Sequence, residues 1–110
     1  MNAAQAAERA VSLRALLDGF LTLNEARDVK VSGLESDSQK VGSGDLFVAL
    51  KGVEGHGISF LSQAIEAGCV AVIYDPEGTE SEVPNEVAGV GVWPMEGLGT
   101  KIGDIADRFF

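Results

Sequence analysis

The sequence has too few cysteines and histidines to build a disulfide framework or a metal centre. Cys69 is its only cysteine and His56 its only histidine. A single cysteine cannot form an internal disulfide, which fits a reducing compartment, and no group of side chains with metal-ligand spacing surrounds His56. We therefore predict a cytoplasmic protein without a metal site, in which His56 is a loop residue rather than a general base and Cys69 is a core residue.

Basic residues and long apolar runs are also scarce. Lys and Arg total 8 against 17 Asp and Glu, which gives a formal net charge of −9. This balance argues against nonspecific nucleic-acid binding, because such binding needs clustered cations. No apolar run approaches the roughly 20 residues that span a bilayer, and Glu8 and Asp18 interrupt any signal-peptide pattern. We predict no nucleic-acid partner and no membrane association. A phosphate-bearing ligand would have to be held by backbone N–H and hydroxyl groups, or by cations of a partner domain.

The apolar residues that are present alternate between strand and helix patterns. Predicted strands cover residues 28–34, 46–50, 69–74 and 87–93, and predicted helices cover residues 3–18, 59–67 and 96–110. Ser12 is a candidate N-cap, Gly19 and Gly68 are helix stops, and Phe60 is assigned to the apolar face of its helix. Two fully apolar strands joined by a helix predict a βαβ unit with parallel strands. The predicted fold class is α/β, a small three-layer-like sandwich with a mostly parallel sheet and flanking helices, formed by one domain.

Two polar, glycine-bearing loops flank the apolar strand at residues 46–50. One contains Asp37 and Ser38, and the other is residues 52–57, Gly-Val-Glu-Gly-His-Gly. Backbone N–H groups in such loops commonly bind anions. Asp and Ser also initiate turns through bonds to nearby backbone N–H groups, so Asp37 has a structural interpretation, whereas the hydroxyl of Ser38 could contact a ligand instead.

The sequence offers no nucleotide-binding fingerprint of its own. The glycine spacing of residues 52–57 is not the dinucleotide pattern, and Gly97-Leu98-Gly99-Thr100-Lys101 matches a phosphate loop only superficially, because its last residues are in the wrong order and no strand runs into it. These residues are better explained by a helix. No nucleophile–base pair is visible. The chain is therefore predicted to bind a ligand rather than to catalyse a reaction.

The central motif resembles a signature of the Mur ligase family. Residues 37–52 read D-S-Q-K-V-G-S-G-D-L-F-V-A-L-K-G, which is similar to the pattern D-S-R-x-V-x-x-G-D-L-F-V-A-x-x-G of the family's N-terminal domain. The similarity continues through residues 57–73, 90–92 and 105–110, and covers about residues 12–110. It implies a precursor-binding N-terminal domain at residues 12–110, and the Ala- and Gln-rich composition before it predicts a frayed N-terminus at residues 1–11. The aromatic pair at the end of the chain leads us to expect a fragment of a longer protein.

This resemblance implies a role in peptidoglycan biosynthesis, and hence in building the cell wall. The family's ligases consume ATP with magnesium in a central domain, and none of that chemistry is expected in this chain. The N-terminal domain is expected to hold the UDP end of UDP-MurNAc-L-Ala-D-Glu while 2,6-diaminopimelate or L-lysine is added. Its partners would be that substrate and the central and C-terminal domains. Carried over by position, the UDP-binding residues are Ser36, Ser38, Val53, Glu54 and Gly55.

Two alternatives remain open from the sequence. One is the corresponding domain of the sister ligase that adds D-Ala-D-Ala, which shares the motif. The other is a non-catalytic α/β interaction module that kept the fold and lost the ligand. Gln39 stands where the family pattern has arginine and His56 where it has aspartate, and these differences, with the net charge of −9, are what keeps the second alternative open.

Overall fold

The computed structural model describes residues 11–20, 28–50, 60–77 and 83–109 of the chain. These ranges contain seven strands and three helices. The strands are β1 (Val11–Ser12), β2 (Lys30–Val31), β3 (Gly33–Glu35), β4 (Asp45–Ala49), β5 (Ala71–Tyr74), β6 (Glu86–Val87) and β7 (Val90–Pro94). The helices are α1 (Leu13–Leu17), α2 (Leu61–Glu66) and α3 (Leu98–Phe109).

Five of these strands form one sheet in the order β3-β4-β5-β7-β6. β3, β4, β5 and β7 run parallel to one another, and only β6 is antiparallel, against β7. β1 and β2 pair antiparallel in a separate two-stranded sheet. The predicted α/β class with a mostly parallel sheet is therefore confirmed.

The middle of the sheet is buried on both faces, which explains its uninterrupted apolar strands. On β4, Leu46 and Val48 pack in one apolar cluster while Phe47 and Ala49 pack in a second one. The first cluster includes residues of α1 and α3, namely Leu13, Leu16, Leu17, Leu98 and Ile105. The second includes Ala64 of α2 together with Cys69, Val72 and Val92. The helices therefore cover opposite faces, giving the expected three layers, and Cys69 is a core residue as predicted.

The first helix is shorter than its sequence pattern. Val11 and Ser12 lie in β1, so the prediction of a helix running through them is wrong, while residues 3–10 lie outside the described residues. Ser12 is the N-cap as predicted, because its hydroxyl accepts a hydrogen bond from the Ala15 N–H at 3.4 Å. Asp28 joins this cap by accepting from the Arg14 N–H at 3.1 Å and from the Ser12 hydroxyl at 2.8 Å, and these bonds lower the pKa of its carboxyl. Gly19 ends the helix with φ of +87°.

Two predicted strands each divide into two. Residues 28–34 contain β2, which pairs with β1, and β3, which pairs with β4. Residues 87–93 turn back at Ala88 and Gly89, both with positive φ, so that β6 and β7 form a tight hairpin. A two-residue turn with positive φ at both positions matches the twist of the strands it joins. The sequence pattern did not predict this turn, because its two residues lie within an apolar run that is typical of one continuous strand.

The other two helices follow their patterns, with one exception. α2 begins at Leu61, and Phe60 before it is 51% exposed, so the prediction that Phe60 lies on the buried face is wrong. Gly68 follows α2 with φ of +105°, as expected of a helix stop. In α3, Leu98 and Ile105 are fully buried, as its apolar stripe predicts. Within the described ranges, no helix has the length and apolar character that crossing a membrane requires.

Arg108 of α3 contacts the end of α1. The Arg108 guanidinium donates to the carbonyl oxygen of Leu16 at 3.2 Å and to that of Asp18. It also lies 4.9 Å from the centre of the Phe20 ring. A cation at the carboxyl end of a helix satisfies carbonyl groups that have no partner within the helix. The two helices of this layer are therefore joined by polar as well as apolar contacts.

Candidate functional site

The chain leaves β3 and β4 at the same edge of the sheet. Glu35 of β3 pairs with Phe47 of the parallel strand β4, so the chain leaves both strands in the same direction. We call the residues that follow the parallel strands the carboxyl edge (36–40, 50, 75–77 and 95–97). Those that precede or begin these strands are the amino edge (32–33, 42–45 and 68–70). Ligands of open α/β sheets bind beyond the carboxyl ends of the strands. Val53, Glu54 and Gly55 lie outside the described residues, as does His56.

The turn after β3 is held by its own carboxylates. Glu35 accepts hydrogen bonds from the N–H groups of Ser36 and Asp37, both at 3.1 Å, and Asp37 accepts from the Gln39 N–H at 2.9 Å. The Lys40 N–H donates to the Asp37 carbonyl at 2.9 Å. The structural interpretation of Asp37 as a turn residue is therefore confirmed. The expectation that such a loop offers N–H groups to an anion is wrong for these four residues, because their N–H groups are already bonded.

Ser36 lines a cavity of about 310 Å³ between the sheet and α3. Most of the lining is apolar, and Glu35 and Ser36 are its two polar members. The apolar lining residues are Leu34, Val48, Leu50, Ile102 and Ala106. Small-molecule sites commonly combine apolar walls with a few polar groups that orient the ligand. This cavity can therefore take a flat or aliphatic group whose polar edge faces Ser36.

Ser38 lies on the other side of the sheet. Its side chain is 8% exposed, and its hydroxyl donates to Oε1 of Gln63 on α2 at 3.4 Å. Within the described part of the chain, it is the only polar residue that is buried. The structure therefore does not bring Ser36 and Ser38 to one cavity: Ser36 faces α3, and Ser38 faces α2. Their assignment as ligand-binding residues stays a prediction.

Some residues around these serines were not identified from the sequence. Gln63, Ile102 and Ala106 were covered only by the predicted helices at residues 59–67 and 96–110. Ile102 reaches the cavity from a helix more than fifty positions after Leu50 in the chain. Such residues are brought together only when α3 packs on the sheet, so no local sequence pattern could have predicted that they line the cavity.

A second cavity at the carboxyl edge is acidic. Its volume is about 410 Å³, and it lies where β5 and β7 end. The residues that line it are Asp75, Pro76, Glu77, Glu96 and Gly97. Three carboxylates facing one space disfavour a phosphate group there. Within the described ranges no group of three or more His, Cys, Asp and Glu is arranged to hold a metal ion.

The second half of the motif belongs to the amino edge and supports the fold. Asp45 accepts a hydrogen bond from the Gly42 N–H at 2.8 Å, and a side chain at Gly33 would approach its Oδ1 to 2.4 Å. The Gly44 N–H donates to the Gly68 carbonyl at 3.0 Å. These contacts fix the turn into β4 against its neighbours. Gly44 and Asp45 therefore act in the turn, far from where a ligand would bind.

Two further groups have no role in the chemistry of a site. Burial, with a smaller effect from the charge of Asp45, raises the pKa of the Cys69 thiol to about 11, which keeps it unreactive. Thr100 and Lys101, part of the superficial phosphate-loop pattern, lie in α3, where their side chains donate to the carbonyls of Gly97 and Glu96 at 2.8 and 2.6 Å. The helical interpretation of this segment is confirmed.

Comparison with known sequences decides the family. The profile described as the Mur ligase family, catalytic domain, matches residues 30–109, which include the sheet, the turn after β3 and α3. The chain belongs to the Mur ligase family. Its sequence resemblance to that family is thereby confirmed.

Several relatives of this Mur ligase domain carry one name, UDP-N-acetylmuramoyl-L-alanyl-D-glutamate–2,6-diaminopimelate ligase. The protein from Alkalilimnicola ehrlichii is 39% identical over 103 residues, covering 89% of this chain and 21% of that protein. The protein from Xanthomonas campestris is 38% identical over 101 residues, covering 92% of this chain and 19% of that protein. The chain spans about a fifth of the length of these relatives.

Solved structures share the fold. MurF from Acinetobacter baumannii superposes with a TM-score of 0.64 at 18% identity, over 90% of this chain and 21% of that chain. A UDP-N-acetylmuramoyl-L-alanyl-D-glutamate–2,6-diaminopimelate ligase superposes with a TM-score of 0.64 at 24% identity, over 91% of this chain and 19% of that chain. At these identities the likeness establishes the architecture of the domain.

Proposed function

We propose that this Mur ligase domain anchors the UDP end of UDP-MurNAc-L-Ala-D-Glu within a peptidoglycan ligase that adds 2,6-diaminopimelate or L-lysine. The relatives at 38–39% identity are named for the diaminopimelate reaction, which favours it over the addition of D-Ala-D-Ala. The proposed contacts are Ser36, Ser38 and the segment from Val53 to Gly55.

The cavity beside Ser36 is the observation that carries this proposal. It lies where the chain leaves β3 and β4, next to Leu50, from which the glycine-rich loop begins. A pyrimidine ring is flat, with two apolar faces and a polar edge. Apolar walls from Leu34, Val48 and Ile102 suit such faces, and the Ser36 hydroxyl suits the polar edge.

The reaction itself is assigned to the rest of the parent ligase. There, ATP and magnesium would activate the D-Glu carboxyl for attack by the incoming amine. The described residues of this chain do not fit those groups, because they hold neither a phosphate loop nor a cluster of metal ligands. The contribution of this domain is positional. Binding energy from the distant UDP end holds the reacting carboxyl in place, which lowers the entropic cost of reaction.

Titration of the 110-residue chain with UDP, followed by backbone amide NMR, tests the proposal. We expect shifts at residues 36–39 and 52–57 and in the lining of the cavity, with saturation between high micromolar and millimolar UDP. UMP should produce a subset of these shifts, and ATP should produce none. A folded chain that shows no shifts at several millimolar UDP would favour the interaction module instead.

A pair of substitutions on α3 locates the ligand. Ala106→Met extends a side chain into the cavity, whereas Asp104→Met adds the same side chain at an exposed position of the same helix. We expect the first to weaken UDP binding at least tenfold and the second to leave it unchanged. Equal UDP affinities for both variants would show that UDP binds outside this cavity, without contradicting UDP binding by the chain.

A further inference from the structure

The Ser38 hydroxyl donates its hydrogen bond to another side chain of the protein. A serine hydroxyl can donate one hydrogen bond and accept two. In the structure Ser38 donates to the side-chain oxygen of Gln63, and its side chain is buried apart from 8% of its surface. Among the residues that the structure describes, none donates to the Ser38 oxygen, so its lone pairs can accept from a ligand while its proton points toward α2.

Most backbone N–H groups of the turn around Ser38 are used within the protein. The N–H groups of Ser36, Asp37, Gln39 and Lys40 all donate within the turn or to Glu35. The carboxylates of Glu35 and Asp37 accept these N–H groups, and the side chain of Lys40 adds a positive charge to the same turn. A phosphate oxygen only accepts hydrogen bonds, so at Ser38 it would compete with Gln63 for the hydroxyl proton.

We propose that Gln63 is a positioning residue for nucleotide binding. By taking the Ser38 proton, it directs the lone pairs of the serine oxygen toward a hydrogen-bond donor of the ligand. The matching donors on the ligand are a ribose hydroxyl or the imide N–H of the base, and the phosphates lie elsewhere. This inference rests on the proposed function, and it adds both a residue and the chemical class of the group recognised at Ser38.

A double-mutant cycle with UDP measures whether Gln63 acts through Ser38. Gln63→Met keeps the length of the side chain and removes the strong acceptor, and it should weaken UDP binding about two- to tenfold. In a chain that already carries Ser38→Ala, the same change should have no further effect. Additive losses would overturn the proposal, since they would mean that Gln63 acts independently of the serine.

Gln63→Glu supplies the rescue, and Ser62→Ala the matched control on the same helix. Both chains are compared at about 1 M salt, where the screening length is about 3 Å. The Gln63→Glu variant should then bind UDP with an affinity within twofold of that of the unsubstituted chain, because its carboxylate still accepts the serine proton. A Glu variant as weak as the Met variant would contradict the assigned direction of the bond. Ser62 is exposed, so its substitution should leave binding unchanged.

Uridine and UDP identify the ligand group. If Ser38 accepts from the ribose or the base, Ser38→Ala should weaken both ligands by the same factor. A loss seen with UDP and absent with uridine would place a phosphate at Ser38 and overturn the inference, while leaving UDP anchoring intact. Failure of the unsubstituted chain to bind UDP would instead overturn the proposed function, and this inference with it. Amide spectra of all variants confirm that each remains folded.

Discussion

The amino and carboxyl edges of the sheet differ in how closely the backbone is packed. At the amino edge, a side chain on Gly68 would lie 3.0 Å from the Ser43 backbone. At the carboxyl edge there are cavities of about 310 and 410 Å³. One continuous stretch of the motif, residues 37–50, starts at the carboxyl edge, passes through the amino edge and returns along β4. Its Gly44-Asp45 half stabilises the fold, and its Asp37-Ser38 half lies in the turn after β3 at the carboxyl edge.

The largest effect should come from the strand that joins the two edges. Phe47 of β4 is fully buried, so Phe47→Ala should lower the free energy of unfolding by about 3–5 kcal/mol through the cavity it leaves. Phe60→Ala is the matched control, because Phe60 is 51% exposed and its loss should cost below about 0.5 kcal/mol. Urea unfolding followed by circular dichroism measures both. Similar losses for the two variants would contradict the burial of β4.

Substitution at the amino edge should affect stability alone. Gly68→Ala places a side chain at φ of +105° and against the Ser43 backbone, which should cost about 1–3 kcal/mol. Gly103→Ala is the control: it lies in α3 with nothing within 4 Å, and should stabilise the chain by up to about 1 kcal/mol. The folded fraction of the Gly68 variant should still bind UDP normally. Loss of binding in that fraction would mean that the two edges are not separate in function.

Substitution at the carboxyl edge should affect UDP affinity and have little effect on stability. Ser38→Ala removes one hydrogen bond of 3.4 Å, so its effect on the free energy of unfolding should stay within about 1 kcal/mol. Its effect should instead be on UDP affinity. Thermal melting and UDP titration of the same sample measure the two quantities. A large fall in melting temperature with unchanged affinity would make Ser38 a structural residue.

The smallest effect is expected at Cys69, whose thiol should hardly react with a labelling reagent in the native chain. The thiolate is the reactive form, and a pKa of about 11 leaves almost none of it at pH 8. Burial also blocks access, since only 3% of the residue is exposed. We expect a thiol reagent to label the native chain far more slowly than the urea-unfolded chain. Rapid labelling of the native chain would show that the amino edge opens readily.

The sequence predicts those features that depend on neighbours along the chain. The apolar runs of β4 and β5, the stripe of α3 and the stops at Gly19 and Gly68 are all local patterns, and each was found in the structure. The positive φ of Ala88 was missed because alanine rarely adopts it, so the hairpin of β6 and β7 read as one strand.

The candidate site was less predictable because it depends on pairing across the fold. Ser36 and Ser38 are two positions apart, a spacing that would put them on the same face of a strand. The turn after Glu35 breaks that alternation, so one serine meets α3 and the other meets Gln63 of α2. Neither the direction of the turn nor the identity of the distant partner is encoded in a local motif.

The contact of Arg108 with Leu16 and Asp18 has a consequence for how the chain is made. The residues that it joins are 92 and 90 positions apart. A helix of five residues such as α1 is unstable by itself in water. During synthesis on the ribosome, α1 emerges early but must wait for the last turn of α3 before its carbonyl groups gain this partner. The layer that contains both helices is therefore completed only after Arg108 has been synthesised.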